Sequence, residues 1–503
     1  MKNVANGLLL LVSIFLACGL AEGATRLIDG LPLFADYLPN TVDRDVTAAH
    51  LDDVPRAQGV SRDWFFQSPP PLPNRHAVPP LWIRLAEQIG QAPNWNNTAF
   101  RPADQFKAWN SVFARNPCDH PLLRQAPGRL YTYDSLDGTP LPRFRFVPNA
   151  TTPLGLVTNQ LGWRGPPVKF HRAENTIRIV FVGASTTVNS HHYPFSYPEL
   201  VGHWLNVWAE ARGLSVRFEA LNAGRESVTS TDIAAIVRNE VVPMRPDLVV
   251  YYEGANQFDV KGFLMVPPVA PSIRIQQEPE DGFSRLLREA STKSALARRA
   301  HAAIAAMRRT GAEGEWEKPD YELRDPGLLD QANPDITRND LPFGLPIILA
   351  DLERIRLALL DVDAELAVSS YKWLAYDGMV VDAMRNRALL DHLNFNLYPL
   401  RYRDIARAAS FQNRVLAKFA ALRDLPFIDV AGQIPSAPDL YTDGVHMSYG
   451  GIRLHAWVVF QTLVPLAEKR LATHVWPRPP VRGEQPNGLF FSPTEIFFDC
   501  EKR

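Results

Sequence analysis

The chain has 503 residues, 46% of them hydrophobic and 21% charged, with a formal net charge of −1. That supplies enough apolar side chain for a packed core, and enough length for several domains or one heavily decorated domain. A near-neutral balance without a basic stripe of interleaved aromatics excludes nucleic acid as an expected partner.

The N-terminus reads as an export signal. Lys2 precedes an apolar run from Leu8 to Ala21, broken only by Ser13 and Gly19. That is the length of a signal h-region and is short of the ~20 residues a membrane span prefers. Gly19-Leu20-Ala21 offers a small-x-small cleavage site. Glu22 and Arg26, four apart, would instead continue the helix with an exposed ion pair. A cleaved signal peptide and an uncleaved anchor with Val4–Ala21 in the membrane therefore both stand, and Phe15-Leu16-Ala17-Cys18 is a poorer lipoprotein box. Residues 1–27 are assigned to this signal or anchor. The expected location is the cell membrane with the rest of the chain outside (periplasmic or extracellular), or full secretion.

From 28 to 170 the pattern is irregular, with short apolar pieces, many prolines, and Trp64, Trp82, Trp95 and Trp109. It reads as an accessory region packed against the downstream domain. The 43 prolines crowd into Pro69–Pro80, Pro267–Pro271 and Pro477–Pro486, expected to be external connections. The accessory region ends in Thr158-Asn159-Gln160-Leu161-Gly162-Trp163-Arg164-Gly165, where two glycines flank Trp163-Arg164 as in a tight linking turn. Of the cysteines beyond the N-terminal run, Cys118 and Cys500 are either free thiols or, as export favours, a disulfide tying tail to accessory region.

Residues 171–475 alternate strand and helix, and 476–503 form a C-terminal tail. Strand-like runs are Ile177–Val182, Val216–Leu221, Leu248–Tyr252, Leu366–Ser369 and Pro426–Val430. Amphipathic stretches are Pro198–Arg212, Thr231–Val242, Leu345–Leu360 and Arg403–Leu422, with a closing helix over Ser448–Leu471. Continuous apolar strands separated by helices predict an α/β fold with a parallel sheet covered on both faces. Ligands of such sheets bind beyond the carboxyl ends of the strands. An insertion of about 260–343 carries a basic segment, Phe283–Arg309, with Arg285, Arg288, Lys293, Arg298 and Arg299. It reads as a solvated helix face, the alternative being a lid or an anionic glycan or lipid-headgroup patch.

Three strand ends and one late loop carry the chemistry. Ser185 follows the first run, Gly224 the second and Asn256 the third, and Asp443-Gly444-Val445-His446 places a carboxylate three residues before an imidazole. A serine hydroxyl needs a base to take its proton, the base needs an acid to fix its tautomer, and the oxyanion needs N–H donors. Each residue has a plainer reading: Ser185 as a helix cap, Gly224 and Asn256 as turn residues, His446 as a histidine entering a helix capped by Ser448. Their order after successive strands favours catalysis. His455 lies inside the last helix and reads as structural, while His191-His192 could line the pocket. No metal-ligand spacing, phosphate loop or redox motif appears, so no cofactor is expected.

These residues resemble the SGNH hydrolases, also called GDSL-type esterases. Ser185, Gly224, Asn256 and His446 match the four name-giving positions, and Asp443 matches the triad acid, over about Thr176 to Leu471. Two positions depart from the family: Ala184 stands where Asp usually precedes the serine, and Gln257 where Asp often follows the asparagine. The segment Asn159–Gly165 is similar to one found before the catalytic domain in exported bacterial members. The resemblance implies a flavodoxin-like three-layer sandwich and a Ser185–His446–Asp443 triad. It also implies an oxyanion hole from the Ser185 and Gly224 backbone N–H groups and the Asn256 amide. The expected activity is hydrolysis of carboxylic esters, acyl or O-acetyl groups on a small molecule, lipid or cell-surface glycan. The alternatives are an O-acyltransferase acting on polysaccharide and a non-catalytic carbohydrate-binding protein.

Overall fold

The computed structural model describes residues 2–29, 33–34, 50–70, 72, 129–132, 142, 145–146, 148–149, 157–189, 195–259, 261–265, 282–291, 293–307, 312–382, 386–480, 483–486, 489–490 and 494–497. Its centre is a five-stranded parallel sheet. In chain order the strands are β1 (Thr176–Gly183), β2 (Arg217–Asn222), β3 (Leu248–Tyr252), β4 (Glu365–Ser369) and β5 (Phe427–Ile428). Their spatial order is 2-1-3-4-5. Ile179 of β1 lies opposite Ala220 of β2, and Val180 lies opposite Val249 of β3. All eight residues of β1 are buried, as a central strand covered on both faces requires.

Side-chain alternation along β1 builds the three layers. Ile177, Ile179 and Phe181 enter one core cluster with Trp204, Trp208 and Trp457, whereas Val180 and Val182 enter the other with Ile233, Ile348 and Phe411. A period of two therefore decides which helices each residue meets. Among the helices are α1 (Lys2–Ile28), α2 (Ser185–Val188), α3 (Tyr197–Ala211), α4 (Ser230–Ile236), α5 (Gly282–Ser291), α6 (Ala295–Met307), α7 (Leu345–Leu360), α8 (Tyr402–Leu422) and α9 (Tyr449–Ala472). Local chemistry starts several of them. Ser196 and Glu199 form a capping box on α3, Thr229 and Asp232 form another on α4, and Ser448 caps α9 through the Gly451 N–H. The expected helix over Thr231–Val242 continues past α4 as a π turn, Val237–Val241, and a 3-10 turn, Val242–Met244. Pro243 has no N–H to extend it. This is the three-layer sandwich that the sequence implied.

The accessory region joins the same core. Phe65, fully buried, stacks on Trp204 at 5.9 Å between ring centroids and meets Trp457 edge-on at 5.6 Å. Arg453 of α9 lies over the Phe65 ring and donates to Phe65 O, to Gln67 O at 2.9 Å and to Ser68 Oγ at 2.9 Å. The tail is joined to the accessory region by an antiparallel ladder of Arg129–Thr132 with Thr494–Phe497. Cys118, Cys500 and most of the expected proline-rich connections lie outside the described residues.

The basic segment of the insertion forms α5 and α6, and α6 is docked on α1. Glu22 accepts from Ala295 N at 2.9 Å, Leu296 N at 3.0 Å and Ser294 Oγ at 2.7 Å, so it caps α6 from outside. Arg26 bonds Glu22 at 2.6 Å and Lys293 O at 2.7 Å, and Arg299 pairs with Asp29. Glu22 and Arg26 thus meet at the expected spacing, with the pair largely covered by α6. Among the described residues no helix is long and apolar enough to cross a membrane.

Because Phe65 anchors the accessory region in the aromatic cluster, Phe65→Ala should cost about 3–5 kcal/mol. Urea unfolding followed by tryptophan fluorescence measures it, and a loss below about 1 kcal/mol would show that the region is only apposed.

Candidate functional site

The site is built at the carboxyl ends of β1, β2 and β3, beside the loop that precedes α9. β1 ends at Gly183, and a Cβ there would lie 2.2 Å from both Thr187 Oγ1 and Tyr252 O. Only glycine lets the chain fold back this tightly into α2. Ser185 is the first residue of α2, so its N–H has no intrahelical partner. Ala184, buried, gives no side-chain cap.

The loop before α9 brings the other two triad candidates to Ser185. Ser185 Oγ donates to His446 Nε2 at 2.8 Å, and His446 Nδ1 donates to Asp443 Oδ2 at 2.7 Å. The second oxygen, Asp443 Oδ1, accepts from Val445 N at 2.8 Å and His446 N at 2.7 Å. Burial alone would raise the Asp443 pKa. The imidazole charge and these hydrogen bonds overcome it and hold the carboxyl well below its usual range. A carboxylate that stays ionised keeps the Nδ1–H tautomer, leaving Nε2 to accept the serine proton. The loop is pinned further by a Tyr441–Met447 bridge, by Gly444 N donating to His392 Nδ1 at 3.2 Å, and by Leu374 N donating to Gly444 O at 2.8 Å.

The two remaining candidates flank this line. Gly224 is needed for a reason not visible in the sequence: a Cβ there would sit 2.6 Å from Val188 N and 2.9 Å from Thr187 Cγ2. The packing of α2 against this residue leaves no room for a side chain. Its N–H donates to Asn222 Oδ1 at 3.0 Å, so service as an oxyanion donor requires sharing that hydrogen. Asn256 Nδ2 donates one hydrogen to Val228 O at 2.7 Å. That bond fixes the amide and leaves its second hydrogen for a ligand.

Behind Asn256 stands Glu253, which the sequence motifs do not mark. Its Oε1 accepts from Ala255 N and Asn256 N, each at 2.8 Å, and so shapes the turn that presents the amide. Burial pushes the Glu253 carboxyl up to about 7, against the pull of those N–H groups and of His446. Asn222 and His392 are likewise unmarked, since nothing local distinguishes a residue whose partner lies 35 or 52 positions away. His455 is packed between Tyr197 and Tyr252, with ring centroids 4.1 and 4.5 Å away. Burial drives it down to about 3, and it stays neutral as a core residue. His191-His192 lie outside the described residues.

Folding favours protonated Glu253. Its stabilising contribution is therefore complete below the ordinary value of 4.5 and is lost as pH rises to about 7. Glu253→Gln removes this dependence. Relative to the parent chain, the variant should gain about 2–3 kcal/mol of unfolding free energy between pH 4.5 and pH 8. Parallel urea titrations at the two pH values test it, and a constant difference would place Glu253 in the ordinary carboxylate range.

No protein-family model matches the chain, and no curated protein matches it. Solved structures do match. A GDSL-like lipase from Bacteroides thetaiotaomicron aligns over 57% of this chain and 88% of its own, at 12% identity and a TM-score of 0.28. An acetyl xylan esterase from Geobacillus stearothermophilus aligns over 57% and 94%, at 14% identity and a TM-score of 0.32. The lipase/acylhydrolase from Enterococcus faecalis aligns over 57% and 95%, at 15% identity and a TM-score of 0.30.

Proposed function

We propose that this protein is a serine esterase of the SGNH type, hydrolysing carboxylic esters through Ser185, His446 and Asp443. The observation that carries the reading is the continuous hydrogen-bond line from Ser185 Oγ through both imidazole nitrogens to Asp443. In this reading Ser185 Oγ attacks the ester carbonyl while His446 Nε2 takes its proton. Asp443 stabilises the imidazolium that forms. The tetrahedral oxyanion receives the Ser185 N–H and the second Asn256 amide hydrogen, with Gly224 N–H contributing where it turns from Asn222. His446 then gives its proton to the leaving alkoxide, and water repeats the cycle on the acyl-enzyme. Acyl or O-acetyl groups on a glycan or lipid are the proposed substrate class. The apolar N-terminal run supports an exported location, membrane-anchored if the run is kept or secreted if it is cleaved.

Ser185→Ala should lower hydrolysis of p-nitrophenyl acetate by at least about 10³-fold, and Asn256→Ala by about 10²–10³-fold, both with native circular dichroism. Equal rates in Ser185→Ala and parent would sink the reading. Adding a xylo-oligosaccharide acceptor separates hydrolysis from transfer: acetate released at the same rate with and without acceptor supports the esterase, whereas acetylated sugar at the expense of acetate makes it an acyltransferase.

A further inference from the structure

Ser185 rides on a helix too short to hold itself. A helix of one turn leaves its last carbonyls without intrahelical N–H partners, and nucleating it is unfavourable. In this chain each of those carbonyls has a donor. Asn189 N donates to Ser185 O at 3.0 Å, Asn189 Nδ2 to Thr186 O at 2.9 Å and Asn222 Nδ2 to Thr187 O at 2.8 Å. The final two, Val188 O and Asn189 O, are served by one side chain. Arg164 Nη1 donates to both, reaching Val188 O at 3.1 Å. Arg164 Nε donates to Glu199 Oε2 at 3.0 Å, and that same oxygen accepts from Ser196 N and Ser196 Oγ at 2.7 Å to start α3.

The turn that delivers Arg164 is itself fixed. Asn159 Oδ1 accepts from Leu161 N at 2.9 Å and Trp163 N at 3.1 Å. Gly162 adopts φ +70°, and a Cβ there would sit 2.3 Å from Phe146 O. Trp163 is buried and donates through Nε1 to Glu240 at 2.9 Å. The Arg164 backbone bridges to Asn222, whose side chain bonds both Thr187 O and Gly224 N. The segment that read as a linking turn is thus wedged behind the serine turn.

We propose, resting on the assignment of Ser185 as nucleophile, that Arg164 is a positioning residue that holds the C-terminal carbonyls of α2 and so fixes Ser185 Oγ against His446. A guanidinium can bond two carbonyls and a carboxylate at once from a planar fork, which a lysine ammonium cannot reproduce in the same geometry. Its positive charge also suits a helix C-terminus. Ala184 offers no polar group at the opposite end of α2, so the hold on the turn comes from behind.

The test is Arg164→Lys in the full chain, with Ser185→Ala beside it. Hydrogen exchange by mass spectrometry over residues 183–189 should speed up by about tenfold or more. The kcat for p-nitrophenyl acetate should fall by about 10–100-fold with KM within about twofold, at unchanged circular dichroism. Methylguanidinium should restore part of the kcat lost in Arg164→Ala. A kcat for Arg164→Lys within about twofold of the parent overturns the proposal, and so does a fall in kcat with parental exchange over 183–189. If Ser185→Ala hydrolyses at the parental rate, the nucleophile assignment fails and the catalytic meaning of Arg164 fails with it. The exchange result then still decides whether Arg164 holds α2.

Discussion

The turn from β1 into α2 is the constraint around which the rest of the site is arranged. A strand buried on both faces must reverse into a one-turn helix within two residues and leave a serine hydroxyl facing outward. Gly183 makes the reversal sterically possible, and Thr187 Oγ1 locks it by donating to Tyr252 O at 3.2 Å. Asn189 closes the far end in the left-handed conformation at φ +47°, which asparagine tolerates better than most residues. Neighbouring strand ends then contribute whatever the short helix lacks. The serine turn is consequently a tertiary object, held by residues from three elements.

Two acidic groups close to this turn show how environment divides roles. Asp443 is covered, yet it accepts two backbone N–H groups and the imidazole, so it remains ionised. Its carboxylate folds the loop with one oxygen and orients the His446 ring with the other. Glu253 is more deeply buried and is held by backbone N–H groups, so desolvation prevails. Two carboxyl groups near one histidine are thereby driven in opposite directions. That contrast is the electrostatic pattern expected where one acid must hold charge and another must not.

The parts outside the sheet are built into its support. Phe65 and Arg453 join the accessory region to α3 and α9, and Trp163 sends its indole N–H to Glu240, which Arg225 also bonds. Burial alone would raise the Glu240 pKa, and Arg145, Arg225 and Trp163 hold it below its ordinary value. An ion cluster of this kind is costly to break once buried. It fixes the Arg225 backbone, which follows Gly224 and donates to Gly183 O at 3.2 Å. On the other side, Glu22 ties α1 to the insertion, so the basic segment carries a structural contact as well as exposed charge.

Sequence alone determined what depends on period and short spacing. Five apolar runs and their intervening helical stretches were legible because burial on two faces and on one face leave different patterns in the residues themselves. The Asp443–His446 pair was legible because an offset of three closes a single turn, and Ser448 because a cap acts on its own helix. Only the tertiary structure decided the rest. Asn222 looks like an ordinary polar residue because Thr187 O, 35 positions away, reaches its amide only after folding. Glu253 binds N–H groups of its own turn, and what sets it apart is its burial. Arg164 was visible within its turn, but its carbonyl partners on α2 were not. Gly224 was singled out for its place after the second strand, whereas the steric demand for glycine there comes from Val188, 36 positions earlier. Hydrophobic period is written along the chain, whereas a hydrogen bond to a distant backbone atom exists only after the fold has brought that atom within about 3 Å.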